Sequence, residues 1–378
     1  MNFSNDLNSL VLLLSRVQPP EDAMEKARQR IEKGIDWQEF FHTSVIQGVA
    51  PLVYNNIRLL AAVPHSAKEL FKAAYLHNVR DTARSLHEFS EVAGTLQREG
   101  IAFVAIKGIT AGEEVYGDPA LYPMSDIDIL IKREDVSQVA ATMAKMGYLP
   151  EMEMDPFYLE NYHQVCFSRA GAKPVEAHYR LGMKRYFEIP EDFWWEDLRE
   201  RKHKGFTCKV LSAEKAVLFA GIHLFGHGYA PLKFIAGMSE MLRAYKDDLN
   251  WHQLIDDSRK FRVYKALMLS LYLAATLLDA PLPPEIAGLV RPRSLKERWI
   301  FKKIKDNVFE RDARFSSVVF LSTVLQYDLL EVGKRMIKWI FPPLEEVAYR
   351  YDIPAKSGLV YLYYVLNPIL LILKKRNL

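Results

Sequence analysis

Apolar residues recur at three- and four-residue spacing through Glu21 to Lys33 and Trp37 to Leu59, which predicts helices over both stretches. Ser66 reads as the N-cap of a longer helix, with Leu70, Phe71, Ala74, Leu86, Phe89, Val92 and Leu96 on its apolar positions. That helix stops at Glu99-Gly100, where glycine accepts the backbone of a helix end. The period then shortens. Ile101 to Ile106 and Ile127 to Ile131 read as buried strands, with a short helix predicted over Ile109 to Tyr116 and a break at Gly117-Asp118-Pro119. An amphipathic helix follows from Asp135 to Met146. His163 to Arg169 and Pro174 to Arg180 predict two strands joined by a turn at Ala170 to Lys173, and Thr207 to Leu211 a further one. From Ser212, a second N-cap, the helical period returns. The expected class is α+β. A small mixed-sheet core over 101–211 is embedded between an N-terminal helical region, 1–100, and a C-terminal helical domain, 212–378.

Composition changes this picture little. Of 378 residues, 49% are hydrophobic and 26% charged, the balance of a folded globular chain. The formal charge is only +3, so no specific nucleic-acid partner is expected. Cys166 and Cys208 form neither a disulfide framework nor a zinc motif. The first twenty residues carry an apolar run without the basic region and cleavage site of a signal peptide, so a cytoplasmic location is expected. The tail holds an uncharged stretch, Gly358 to Leu373, interrupted by Asn367-Pro368 and followed by Lys374, Lys375 and Arg376. It falls short of the roughly 20 residues a bilayer span requires. A packed or dimer-forming helix is expected there, with weak membrane-surface contact as the alternative.

The chemistry is concentrated in Pro123-Met124-Ser125-Asp126-Ile127-Asp128-Ile129-Leu130. Alternation along a strand puts Asp126 and Asp128 on one face, roughly 7 Å apart, and Ile127 and Ile129 on the other. Two such carboxylates repel unless a cation lies between them, and Mg²⁺ is commonly held by one or two carboxylates plus substrate phosphates. Asp-x-Asp alone also describes a solvated strand edge, but two further features fit. Lys107-Gly108 ends the preceding strand at a helix N-terminus, where backbone N–H groups approach phosphates and Lys107 adds a point charge. In Val175-Glu176-Ala177-His178, Glu176 and His178 share a face, and pairing beside the Asp126 strand makes Glu176 a third acid. Three acids holding two metals suit in-line displacement at phosphorus. His223 and His227 stand four apart on one helix face, as packing residues or as the lining of an acceptor pocket. Two basic clusters, Arg199 to Lys204 and Arg291 to Lys305, read as solvated helix or loop faces, and the aromatic run Phe187 to Trp195 as packing.

Lys107-Gly108, Tyr116-Gly117-Asp118-Pro119, Pro123 to Asp128 and Glu176-Ala177-His178 together resemble the uncharacterised nucleotidyltransferase family of the polymerase-β-like superfamily. The likeness extends to Asn78 and Arg80 on the long helix and to His223, His227 and Leu232-Lys233-Phe234, over roughly residues 40 to 250. The chain departs from the family pattern at Tyr122, where an Arg is usual, and at Gly237, where an Asp is usual. The resemblance implies a transferase that moves a nucleoside monophosphate from an NTP, ATP included, to an unidentified hydroxyl-type acceptor, a small molecule or a protein, with release of pyrophosphate. It implies Mg²⁺ or Mn²⁺ as cofactor and Asp126, Asp128 and Glu176 as the metal-holding catalytic residues. Lys107, Gly108 and Ser125 would contact the nucleotide, and His178, His223 and His227 the acceptor. The competing readings are a catalytically silent nucleotide- or partner-binding scaffold and an Asp-x-Asp glycosyltransferase. The latter normally begins with a strand-and-helix nucleotide-binding half, whereas the hundred residues before Lys107 read as helical.

Overall fold

In the computed structural model, residues 3–374 are described except 183–185, 188, 204–205, 310–320, 322–323, 326–328, 352 and 355. The chain forms two compact units, Met1–Val319 and Phe320–Leu378.

The first unit opens with α1 (Phe3–Leu14), α2 (Glu21–Glu32), α3 (Trp37–Ile46), α4 (Ala50–Ile57) and α5 (His65–Arg98). The single helix expected from Trp37 to Leu59 is two. Gly48 takes φ +66°, a left-handed conformation that ends α3, and Pro51 sits in the first turn of α4. The long helix begins one residue before Ser66, and Pro64 occupies its cap position. Its buried stripe, Phe71, Leu86, Phe89, Val92 and Leu96 among others, faces the sheet and the first helices. Phe89 meets Phe103 of the first strand edge-on at 6.3 Å.

Seven strands make one mixed sheet: β1 (Phe103–Ala105), β2 (Ile127–Ile131), β3 (Leu149–Pro150), β4 (Gln164–Ser168), β5 (Val175–His178), β6 (Arg199–His203) and β7 (Phe206–Val210), in the order β3-β4-β5-β2-β1-β7-β6. The α+β class expected from the pattern is therefore the class observed. β2 runs parallel to β5 and antiparallel to β1. Strand β6 was not expected. Its arginines do not form a solvated helix or loop face: Arg199 and Arg201 both pair with Glu114, at 3.0 and 2.5 Å, while Lys202 is exposed. That carboxylate offsets charge on a strand whose basic pattern otherwise resists pairing.

Between the strands lie α6 (Gly108–Glu114), α7 (Val136–Lys145) and α8 (Pro156–Asn161). After the sheet come α9 (Ala213–Gly226), capped by Ser212 as expected, α10 (Leu232–Ala244), α11 (Trp251–Lys260), α12 (Tyr264–Leu278), α13 (Pro284–Val290) and α14 (Leu295–Asn307). Trp194, from the aromatic run, is 1% exposed and packs edge-on to Phe219 of α9.

The second unit holds α15 (Leu329–Ile340), α16 (Leu344–Arg350) and α17 (Leu359–Lys374). The tail is a helix packed on one side: Val360 is buried against Val347 and Ala348, while Tyr361, Leu362, Val365 and Ile369 are exposed. Asn367, fully buried, accepts from Tyr351 Oη at 2.6 Å and donates to the Ile340 carbonyl at 2.6 Å. The Asn-Pro interruption is thus a polar anchor inside the unit. Among the described residues no helix is long and apolar enough to cross a membrane.

Candidate active site

The turn from β1 into α6 sets the first element. Lys107 sits there at φ +52°, ψ −129°, a strained position for a residue with a Cβ. Gly108 follows because nothing larger fits: a Cβ there would lie 2.6 Å from Met124 Cγ. Met124 in turn backs the loop that carries Ser125 and Asp126. That loop is held from α5, where Asn78 donates to the Ala120 carbonyl and Tyr75 Oη donates to Asp118 at 2.8 Å. Asp118 also caps the 3₁₀ turn at Pro119–Leu121. The Tyr116-Gly117-Asp118-Pro119 motif is therefore a strut for the site. Lys173, in the β4–β5 turn, ties the same loop to α5 through Met124 O (3.2 Å) and Asp81 (3.0 Å). Arg80 is exposed and takes no part.

Asp128 and Glu176 are register partners on the parallel pair β2–β5, so their carboxylates lie side by side. Asp126 stands one residue before β2. The ammonium of Lys107 contacts Asp128 and lies 3.4 Å from Glu176 Oε2. His178 Nε2 is 2.8 Å from Asp128 Oδ1 and 3.4 Å from Glu176 Oε2. The tightest set of donors among the described residues is Asp128, Glu176 and His178, all within 4.8 Å of one another. Asp126 is outside that set, and Ser125, exposed, donates to it at 3.0 Å.

The charges respond accordingly. Burial pushes the Asp126 carboxyl up to about 6, and the neighbouring Asp128 and Glu176 charges push the same way against Lys107. Glu176 behaves oppositely: burial would raise it, but the hydrogen bond from His178 and the Lys107 charge hold it far below the usual range. For Lys107, burial works against the ammonium, yet Asp128 and Glu176 together raise its pKa. The cluster holds three acids against one ammonium, and Asp126 is the acid left short of a counter-charge.

Oxygen-rich carboxylates of this kind fit a hard divalent cation such as Mg²⁺ or Mn²⁺. His178 fits a supporting part better than a ligand's. Its Nδ1 is buried with no hydrogen-bond partner among the described residues, so binding a metal through Nε2 would leave an orphaned Nδ1–H, whereas ligating histidines usually donate their second N–H. With the proton on Nε2, the ring orients Asp128 instead.

The opposite wall of the same cavity, about 360 Å³, comes from α9 and α10 and carries His223, His227, Lys233 and Phe234. The two histidine rings lie 4.4 Å apart and both meet Phe234. Burial drives His223 well below its ordinary value and His227 down to about 4, so both are neutral at pH 7. They line the cavity and pack at once, joining the two readings of the pair. The two departures from the family pattern also meet. A Cβ on Gly237 would lie 3.7 Å from the Tyr122 ring, and both residues line a smaller adjoining cavity of about 60 Å³.

The description "uncharacterised nucleotidyltransferase" belongs to a family whose model matches residues 33–279, a span that contains the whole sheet and both cavity walls. The chain belongs to this family. No curated protein and no solved structure matches it. In this family member the cavity brings together every residue singled out for metal, nucleotide and acceptor contact; Lys107, Gly108, Ser125, Asp126, Asp128 and Glu176 share its border with His178, His223 and His227. Lys173 and Lys233 escaped the functional reading. Lys233 was legible only as part of a motif, and nothing near Lys173 marks it in the sequence.

Cation affinity should depend on pH through Asp126. With burial pushing its carboxyl up to about 6, a cation that takes Asp126 as a ligand would have to displace a proton below that pH. Mg²⁺ affinity is expected to fall about tenfold from pH 7 to pH 5. Calorimetry in two buffers of different ionisation heat reads the released proton, and Asp126→Asn should flatten the dependence. For the metal-free fold the sign is opposite: this raised group contributes stability that is full below about 3.8 and is lost as pH rises through about 6.

Proposed function

We propose that the protein transfers a nucleoside monophosphate from an NTP to a hydroxyl-type acceptor. The observation that carries this reading is the side-by-side placement of Asp128 and Glu176, with Asp126 beside them, on the wall of a cavity large enough for a nucleotide. The acceptor oxygen attacks the α-phosphorus and forms the new P–O bond. The α–β bridging bond breaks, and pyrophosphate leaves with the bond's electron pair. The hydroxyl proton passes to a cavity carboxylate and on to solvent. A divalent cation held by Asp126, Asp128 and Glu176 would neutralise phosphate charge and lower the pKa of the attacking hydroxyl.

The chain's own residues do the positioning. His178 keeps Asp128 in place through Nε2. Lys107, at the turn into α6, would be free to meet the phosphates once a cation neutralised Asp128 and Glu176. Neutral His223 and His227 offer the acceptor hydrogen-bonding groups without adding positive charge.

Incubation with Mg²⁺, α-labelled NTPs and a fractionated cell extract tests the reading. Label should move to an acceptor with matching pyrophosphate release, and the Asp128→Asn protein should give neither. Nucleotide binding without release of pyrophosphate from any fraction would favour the silent scaffold and end the enzyme reading.

A further inference from the structure

Lys233 lies in the first turn of α10, where a cation is disfavoured by the helix dipole. It lines the carboxylate cavity, half-buried, yet among the described residues no carboxylate pairs with it and no hydrogen-bond acceptor meets its ammonium. Its contact is the Phe234 ring, 5.0 Å from Nζ. The fold nevertheless holds this side chain with care. Gln47 receives the backbone N–H of Leu232 on its Oε1 at 2.9 Å and that of Lys233 on its carbonyl at 3.0 Å. The next residue, Gly48, lies under the Lys233 stem, and a Cβ there would come within 2.8 Å of Lys233 Cδ. A connection between α3 and α4 is thus shaped around a lysine that serves no internal ion pair. Burial lowers its pKa, while Asp126 and Asp128 act to keep it charged. A desolvated ammonium without an anion is costly unless an anion arrives.

We infer that Lys233 is the receptor for the outer phosphates of the triphosphate, on the cavity wall that faces the carboxylates. The inference rests on the nucleotide reading above and deepens it. Carboxylates cannot themselves bind phosphate oxygens, and Lys107, which contacts Asp128 and Glu176, stands on their side of the cavity, so the opposite wall needs a cation of its own. A polyphosphate lying between the two walls gains a cation from Lys233, which among the described residues has no ion-pair partner to compete. The two helices that carry Lys233 and the histidines thereby contribute to triphosphate recognition as well as to the acceptor side.

Inorganic tripolyphosphate with Mg²⁺ is the direct probe, since it needs no knowledge of the preferred base. By calorimetry, Lys233→Gln should bind it about 10- to 100-fold more weakly than the wild type, the range of a lost charge-assisted contact. Lys233→Arg should recover most of that loss. Binding of Mg²⁺ alone and of AMP should be unchanged in both variants. Wild-type affinity for tripolyphosphate in Lys233→Gln, with MgATP still bound normally by both proteins, would overturn the inference and leave the nucleotide reading standing. Equal weakening of Mg²⁺, AMP and tripolyphosphate would assign Lys233 to the structure of the cavity and also overturn it. Failure of the wild type to bind either tripolyphosphate or MgATP would remove both.

Discussion

Asp128→Asn is expected to abolish Mg²⁺-dependent triphosphate binding and to lower nucleotidyl transfer by on the order of 10³-fold or more. Asp128 is 2% exposed and stands at the centre of the cluster, touched by Lys107 and by His178. The amide keeps the shape and removes the charge. In the proposed reaction the acids act as one unit, so Asp126→Asn combined with Asp128→Asn should be scarcely worse than Asp128→Asn alone. The stability effects should differ between the two. Repulsion between two aspartates on one strand face would, by itself, make either amide a relief. The structure divides them. Asp126 is the under-compensated acid, so its amide should leave the metal-free protein as stable or more so. Asp128 compensates a buried ammonium, and its amide should cost about 3 kcal/mol in EDTA. Urea denaturation of both variants reads this; equal stability of the two would contradict the pairing of Asp128 with Lys107.

The second large effect is expected from Lys107→Met. The Lys107 side chain is 16% exposed, and those of Asp128 and Glu176 are 3% and 20% exposed. Removing the ammonium leaves two adjacent carboxylates without their counter-charge in a poorly solvated place. The metal-free protein should lose about 3 kcal/mol. Saturating Mg²⁺ should restore more stability to this variant than it adds to the wild type, since the cation neutralises the same two acids. Triphosphate binding should also weaken more than monophosphate binding, as expected for a lysine near the phosphates. Urea midpoints measured in EDTA and in Mg²⁺ decide the first point: an identical Mg²⁺ increment in the two proteins would rule out a shared place for ammonium and cation.

What the sequence determined by itself is what alternation and turn chemistry control over a few residues. Val175-Glu176-Ala177-His178 had to place its acid and its histidine on one face in any strand, and Ile127 and Ile129 had to turn inward from Asp128, because successive side chains alternate. Gly108 after Lys107 and Ser212 before α9 were readable for the same local reason. The family likeness, carried by short motifs, extended this to the carboxylates as a set. Tertiary structure decided the rest. Strands β2 and β5 pair in the register Asp128–Glu176 across 48 residues of chain, which depends on how the hairpin packs on α5 through Lys173, Asp81 and Glu88. The break between α3 and α4 rests locally on the left-handed Gly48 and on Pro51, but the need for a glycine at that point also comes from the stem of Lys233, far along the chain. Strand β6 was hidden because its arginines are neutralised by Glu114 on a distant helix. The meeting of Tyr122 with Gly237, the ammonium of Lys107 between two acids, and the Lys233 stem over Gly48 all follow from contacts between segments more than twenty residues apart. No local period encodes such contacts; packing of the whole core selects them.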